Sequence, residues 1–409
     1  MTNHPIQHPG PTDTPPAQGL RDGLRQELEM LERAGLRRTL RTVERGDGAQ
    51  VLVDGQPAVD FSSNDYLGLA GDPRVRDAVC ATAIRAGVGA AASRSISGTH
   101  AAHSELEREL AALKGAEAAL LFTSGYTANA GVLPVLAGKR DVIYSDALNH
   151  ASIIDGCRLS RATVRTFPHA DLAALERLLI EDRGIYRRRV IVVEGVYSMD
   201  GDLFPLAQLV PLARAHGAWI FLDDAHGSGV LGPSGAGTAE HFGVAGQVDV
   251  TLGTLGKAFG VAGAYVAGPM VLRDLLLTRA RSFLFTTAPP PALAAGALAA
   301  VRISREEPWR RDQLQRNACR LAAGLAALGR GAAGSTGPGH IAPIIIGDSE
   351  QAVAIGRALL DRGFLVGAVR PPTVPLGSAR LRVTVSAAHT DAQIDGLLAA
   401  LADLLPKRP

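Results

Sequence analysis

The hydrophobic positions of the chain change period twice. Between residues 20 and 40, leucines recur at helical spacing among charged residues, which predicts an amphipathic entrance helix. Val51-Leu52-Val53 and Val59-Asp60-Phe61 then bracket an Asp54-Gly55 turn and predict a hairpin. From about residue 62, short apolar runs alternate with amphipathic segments: 118–122, 142–145, 164–167, 190–194, 219–223, 248–254 and 264–267. Strands and helices at this spacing predict a mainly parallel sheet covered on both faces. Ser104-Glu105-Leu106-Glu107 reads as a capping box that starts one of the helices.

Pro289-Pro290-Pro291 punctuates this region, and a long Ala/Leu helix follows. Beyond it the pattern predicts helices at 309–329 and 350–362, strands at 341–346, 364–369 and 381–386, and a last helix opened by Thr390-Asp391-Ala392-Gln393. The expected division is a disordered tail at 1–18, an N-terminal arm at 19–61, a large domain at 62–290 and a small C-terminal α/β domain at 291–409. The Gly/Ala-rich stretch 329–339 reads as a loop, and no internal repeat is visible.

Composition narrows the class. A net charge of +2 with scattered arginines forms no basic stripe, so nucleic acid is not an expected partner. No apolar stretch has the length of a membrane span, and the first 18 residues lack the apolar core of a secretory signal. Cys80, Cys157 and Cys319 stand far apart in no metal-like spacing, which fits a reduced, cytoplasmic setting. His100 and His103 have no carboxylate or cysteine partner in sequence, and no metal site is expected.

The candidate chemistry begins with an imbalance: the chain holds four lysines and 38 arginines. Lys257 lies between Gly256 and the Ala258-Phe259-Gly260 turn, just after an apolar run. Arginine stays protonated, whereas a lysine amine can be deprotonated by its surroundings and condense with a carbonyl. Lys114, Lys139 and Lys407 have no evident reason, so rarity alone does not make Lys257 catalytic. Upstream, Trp219-Ile220-Phe221-Leu222 ends in Asp223-Asp224-Ala225-His226-Gly227, two carboxylates and an imidazole at the carboxyl end of a buried strand, the edge where α/β sheets bind ligands. An aspartate pair could equally cap the strand. A carboxylate placed there could also keep a ring nitrogen protonated while the histidine reaches another atom of that ring.

Asp223, His226 and Lys257, each following its own strand, resemble the fold-type I enzymes that use pyridoxal 5'-phosphate (PLP). The stretches Ser62-Ser63-Asn64-Asp65-Tyr66-Leu67-Gly68-Leu69, Ser124-Gly125-Tyr126-Thr127-Ala128-Asn129, Asn149-His150 and Glu194-Gly195-Val196-Tyr197-Ser198-Met199-Asp200-Gly201 are similar to one group among them, the α-oxoamine synthases. The resemblance runs from about residue 35 to the end. It implies an α/β fold-type I PLP-dependent transferase with a mainly parallel sheet in the large domain, acting as a homodimer. It also implies that Lys257 is the Schiff-base lysine and later proton carrier, that Asp223 pairs with the pyridinium nitrogen, and that His226 and Ser198 bond the phenolic oxygen. By the same resemblance His150 stacks on the ring, Gly125, Tyr126 and Thr254 hold the phosphate, Asn64 lies in the active-site access loop, and Thr286 and Thr287 reach the partner subunit's phosphate.

Members of this family join an amino acid to an acyl thioester with loss of carbon dioxide. The segment Arg370-Pro371-Pro372-Thr373-Val374-Pro375 resembles that of members joining L-alanine to a pimeloyl thioester, carried by CoA or acyl carrier protein. It implies that Arg37, Asn64, His150, Arg370 and Thr373 bind substrate, with Arg370 gripping the amino acid carboxylate. Arg380 and Arg382 lie near the same mouth, and one of the two is expected to face it. The stretch 90–99 is as similar to members using glycine and acetyl-CoA, which stand as the alternative. A non-catalytic partner subunit would have lost the lysine or a ring partner, and this chain retains Lys257, Asp223, His226 and His150.

Overall fold

The computed structural model describes residues 19–330 and 339–406. The 1–18 segment, most of the 329–339 loop and Lys407 lie outside the described residues. Leu20–Arg33 forms the entrance helix, shorter than the leucine spacing suggests, and it buries none of its residues. The hairpin follows as β1 (Val43–Arg45), β2 (Gln50–Val53) and β3 (Gln56–Asp60). Asp54 and Gly55 both adopt positive φ at its turn, the backbone a tight two-residue connection requires.

The large sheet contains β4 (Ala118–Phe122), β5 (Val142–Asp146), β6 (Thr163–Phe167), β7 (Arg189–Glu194), β8 (Trp219–Asp223), β9 (Val250–Thr254) and β10 (Ala264–Gly268), in the order β4-β10-β9-β8-β7-β5-β6. All neighbours pair in parallel except β10, which is antiparallel to both β4 and β9. The apolar strands divide by alternation. Ile143, Val190, Val192 and Phe221 pack with the helix Gly125–Leu136, while Val142, Tyr144, Ile191, Val193, Ile220 and Leu222 pack on the other face with Leu172–Glu181 and Leu206–Ala215. Both faces are therefore dry, and the strands read as continuous hydrophobic runs.

The C-terminal layer is built from β11 (Ile341–Gly347), β12 (Phe364–Leu365), β13 (Gly367–Val369) and β14 (Ala379–Thr384). Strands β11, β14 and β13 form one sheet, while β12 pairs in parallel with β3 and so joins the arm to this layer. Two backbone bonds, Thr384 N to Phe61 O and Ala387 N to Tyr66 O, both 2.8 Å, pin the 61–66 segment beside β14. The helix Pro291–Glu306 packs mainly on Pro73–Ala86 and Ala101–Lys114, so the chain leaves the large-sheet layer after this helix.

The helix expected to start at Ser104 begins at Ala101 instead. His100 and His103 form its capping box through their ring nitrogens, a role that serine and threonine usually fill. The box at Thr390 and Gln393 opens the last helix as its sequence predicts. Among the described residues, no helix is long and apolar enough to cross a membrane, and no cluster of three metal-capable side chains occurs.

Candidate active site

Strand β8 lies at the middle of the large sheet, and its carboxyl end carries Asp223 opposite Glu194 of β7. The chain then turns through Asp224 to Ser228, held by Gly227 N and Ser228 N donating to the Asp224 carbonyl. Lys257 follows β9 in a tight loop closed by Gly260 N donating to the Lys257 carbonyl at 2.8 Å. Gly260 has φ +67, and a Cβ there would lie 2.3 Å from Ala70 N, so only glycine lets this loop seat against residues 69–70.

These two turns bring Lys257 Nζ to 2.8 Å from His226 Nε2. His226 Nδ1 lies 2.7 Å from the Tyr66 hydroxyl, which donates to Asn64 Oδ1 at 2.9 Å. With its own proton committed to Asn64, Tyr66 accepts from His226 Nδ1–H, which leaves Nε2 as acceptor for the lysine amine. Burial, reinforced by the charges of Lys257 and Arg382, holds the His226 imidazole well below its ordinary pKa and keeps it neutral. Burial also lowers the Lys257 amine to about 8 against the opposing carboxylates of Asp223 and Glu194. A buried amine that titrates near neutrality can exchange protons.

Asp223 accepts from Asn129 Nδ2 at 2.8 Å and from Ala225 N at 3.1 Å. A carboxylate has about four lone-pair positions, so two partners leave room for a ring N–H. Asn129 also donates to Ser152 Oγ, which sits 2.7 Å from His150 Nδ1, so Asp223 and His150 share one bonded network. Glu194 accepts the His150 backbone N–H, and its carboxyl is pushed well above the usual range by burial and by the Asp223 charge. Ser198 and His150 line the same cavity as Lys257 and His226.

Gly125 and Tyr126 open the helix Gly125–Leu136, whose N-cap is Ser124 in a reciprocal box with Thr127. Apart from its chain neighbours and the backbone of its own helix, nothing lies within 4 Å of where a Cβ on Gly125 would stand, so the first turn has open space beside it that could take an anion. Tyr126 turns its hydroxyl to Asp155. Thr254 donates to the Gly263 carbonyl at 3.1 Å and accepts from Gly256 N at 3.2 Å, which places the hydroxyl inside the Lys257 loop. An amine, a spare carboxylate valence and an anion-ready helix start together match the aldehyde, ring nitrogen and phosphate of PLP.

The cavity has a volume of about 1130 Å³ and extends from Lys257 to the C-terminal layer. Asn64 and Thr373 line it. Arg370 donates instead to the backbone carbonyls of Gly35 and Arg37, which anchors the entrance arm. The Arg37 side chain pairs with Glu32 at 2.7 Å, and it is Arg38 that reaches Thr373 Oγ1, at 3.2 Å. Arg380 and Arg382 both line the cavity, which corrects the expectation that one of them faces it: residues two apart on a strand share a face. Arg382 donates to Ser198 O at 2.6 Å and to Asn64 Oδ1 from both terminal nitrogens at 3.3 Å. Sequence reasoning did not single out Tyr66 or Glu194 as site residues, and it placed Arg382 only as one of two alternatives at the mouth. Tyr66 follows Asn64 by two positions and Glu194 ends a strand as Asp223 does, whereas the placement of Arg382 depends on long-range pairing.

Residues 56–401 match the family described as aminotransferase class I and II, and the chain belongs to it. Curated relatives named 8-amino-7-oxononanoate synthase include one from Anaeromyxobacter dehalogenans, 51% identical over 96% of this chain and 98% of the relative. Another, from Methylococcus capsulatus, is 52% identical over 90% of this chain and 94% of its own length. Among solved structures, a serine palmitoyltransferase from S. paucimobilis with bound PLP superposes with TM-score 0.88 at 32% identity, covering 94% of this chain and 96% of that one. The 8-amino-7-oxononanoate synthase of Francisella tularensis gives TM-score 0.74 at 28% identity over 85% of this chain and 97% of its own.

Proposed function

We propose that this protein is PLP-dependent and condenses L-alanine with a pimeloyl thioester, releasing carbon dioxide and free thiol and giving 8-amino-7-oxononanoate for biotin synthesis. The observation that carries the reading is the buried Lys257 amine on His226, one strand from Asp223, in a chain 51% identical over nearly its whole length to 8-amino-7-oxononanoate synthases. PLP held here would supply an electron sink for the α-carbon of the amino acid. Lys257 would hold its aldehyde, Asp223 its ring nitrogen, the first turn at Gly125 and Tyr126 with Thr254 its phosphate, and His226 with Ser198 its phenolic oxygen.

The side chains divide the remaining work. Lys257 Nζ removes the α-proton and later returns one, a role suited to an amine lowered to about 8. His226 orients that amine through Nε2, and Tyr66 with Asn64 fixes the imidazole tautomer. Arg382 offers a guanidinium to the alanine carboxylate, since it faces the cavity beside Asn64 whereas Arg370 is engaged by the arm. His150, tied through Ser152 and Asn129 to Asp223, lines the same cavity and would pack against the cofactor ring. A homodimer belongs to the same proposal, with Thr286 and Thr287 serving the partner subunit's phosphate.

Thiol release measured side by side for alanine with pimeloyl-CoA and for glycine with acetyl-CoA tests this reading. Faster turnover of the first pair is expected. Faster turnover of the second would transfer the protein to the glycine-using members, and no turnover with either would favour a non-catalytic subunit.

A further inference from the structure

The cavity floor beyond Lys257 is a patterned sheet face. On β14, Arg382 and Arg380 point into the cavity, and on β11 their cross-strand partners Pro343 and Ile345 do the same. Two cations on one strand are thus separated by an apolar step. Arg380 is 5% exposed. Its Nε donates to Ser378 O at 3.1 Å, and its Nη1 donates to Asp200 and, at 3.4 Å, to Met199 O. Its Nη2 has no hydrogen-bond partner among the described residues, although a buried guanidinium gains from using every donor.

We propose that Arg380 receives the distal carboxylate of the acyl chain and thereby selects a dicarboxylic thioester. The assignment rests on the function proposed above. Strand residues two apart are separated by about 7 Å. An extended pimeloyl group spans nearly the same distance, about 7.5 Å from its thioester carbon to its far carboxyl carbon, as six C–C bonds of about 1.5 Å in zigzag. With Arg382 on the alanine carboxylate beside the reacting carbon, the chain runs over Pro343 and Ile345, and its far end arrives at Arg380 Nη2. Asp200 remains on Nη1 and holds the guanidinium in place. A monocarboxylic acyl chain of the same length would leave that donor unpaired.

The test compares pimeloyl-CoA with heptanoyl-CoA, which has the same carbon count and no distal carboxylate, using PLP-loaded protein and saturating alanine. The readout is the ratio of the two kcat/KM values, which does not depend on how much of a variant is folded. Arg380→Gln is expected to reduce the preference for pimeloyl-CoA by roughly 10- to 100-fold, the range for a lost hydrogen bond to a charged group, and Arg380→Lys to retain most of it. A ratio unchanged in Arg380→Gln overturns the assignment, as does a ratio that collapses in Arg38→Ala instead. Wild-type protein that turns over neither thioester with alanine fails the underlying reading, a result distinct from an unchanged ratio in an active enzyme.

Discussion

Replacing Lys114 with methionine removes a cation from beneath the turn that carries Asp223 and His226. Lys114 is 5% exposed and its partner Asp224 1% exposed, with Nζ 2.8 Å from Asp224 Oδ2, 2.8 Å from Ser228 Oγ and also bonded to the Ala236 carbonyl. Burial alone would lower the lysine pKa, yet the Asp224 charge raises it above its ordinary value. Without Lys114, Asp224 keeps Thr238 Oγ1 at 2.6 Å, Thr238 N at 3.2 Å and Ser228 Oγ at 3.1 Å, but its charge is uncompensated. Breaking one side of a buried pair costs about 3–5 kcal/mol. Urea unfolding should show that loss as a lower midpoint at unchanged slope. The double variant Lys114→Met/Asp224→Asn should lose less than the sum of the single losses, by about 1–3 kcal/mol. A single-variant loss below about 1 kcal/mol, or a double variant whose loss equals the sum of the two single losses, would refute the reasoning.

Other outcomes follow from the same geometry. PLP added to cofactor-free protein should develop visible absorbance at a rate that rises with pH through about 8, where Lys257 loses its proton, and Asp223→Asn should move that midpoint lower by removing a carboxylate that opposes deprotonation. Arg382→Gln should raise KM for alanine by roughly 10- to 100-fold with a smaller effect on KM for the thioester, as loss of a charge-assisted bond predicts. Gly260→Ala should prevent stable folding or cofactor loading, judged by soluble yield and absorbance, because its Cβ would lie 2.3 Å from Ala70 N in a backbone at φ +67. Thr390→Ala, at the N-cap of the last helix, should cost only about 1 kcal/mol in urea unfolding and leave KM unchanged.

What the sequence made legible was local. The strand–helix alternation, the strand ending at Asp223 and the lysine between glycines are each written in a few adjacent residues, and they place the reacting centre. His100 at a helix N-cap and Lys114 beneath Asp224 were opaque, the first because histidine is an uncommon cap and the second because 110 positions separate the partners. Long-range pairing also decides which arginines serve the cavity. Arg370 sits in a rigid Pro-Pro segment that suggests a carboxylate grip, but its donors are taken by carbonyls of the arm, 335 and 333 positions away. Arg382 reaches the site because β14 lies against the 61–66 segment, 318 positions from Asn64.

The central claim is that Lys257 carries the cofactor, and borohydride reduction of the PLP-loaded protein followed by peptide mapping tests it most directly. The account predicts a single phosphopyridoxyl-modified peptide, the one containing Lys257, together with loss of both modification and alanine-dependent turnover in Lys257→Ala. Modification at Lys114 or Lys139 in its place, or turnover that survives Lys257→Ala, would contradict it.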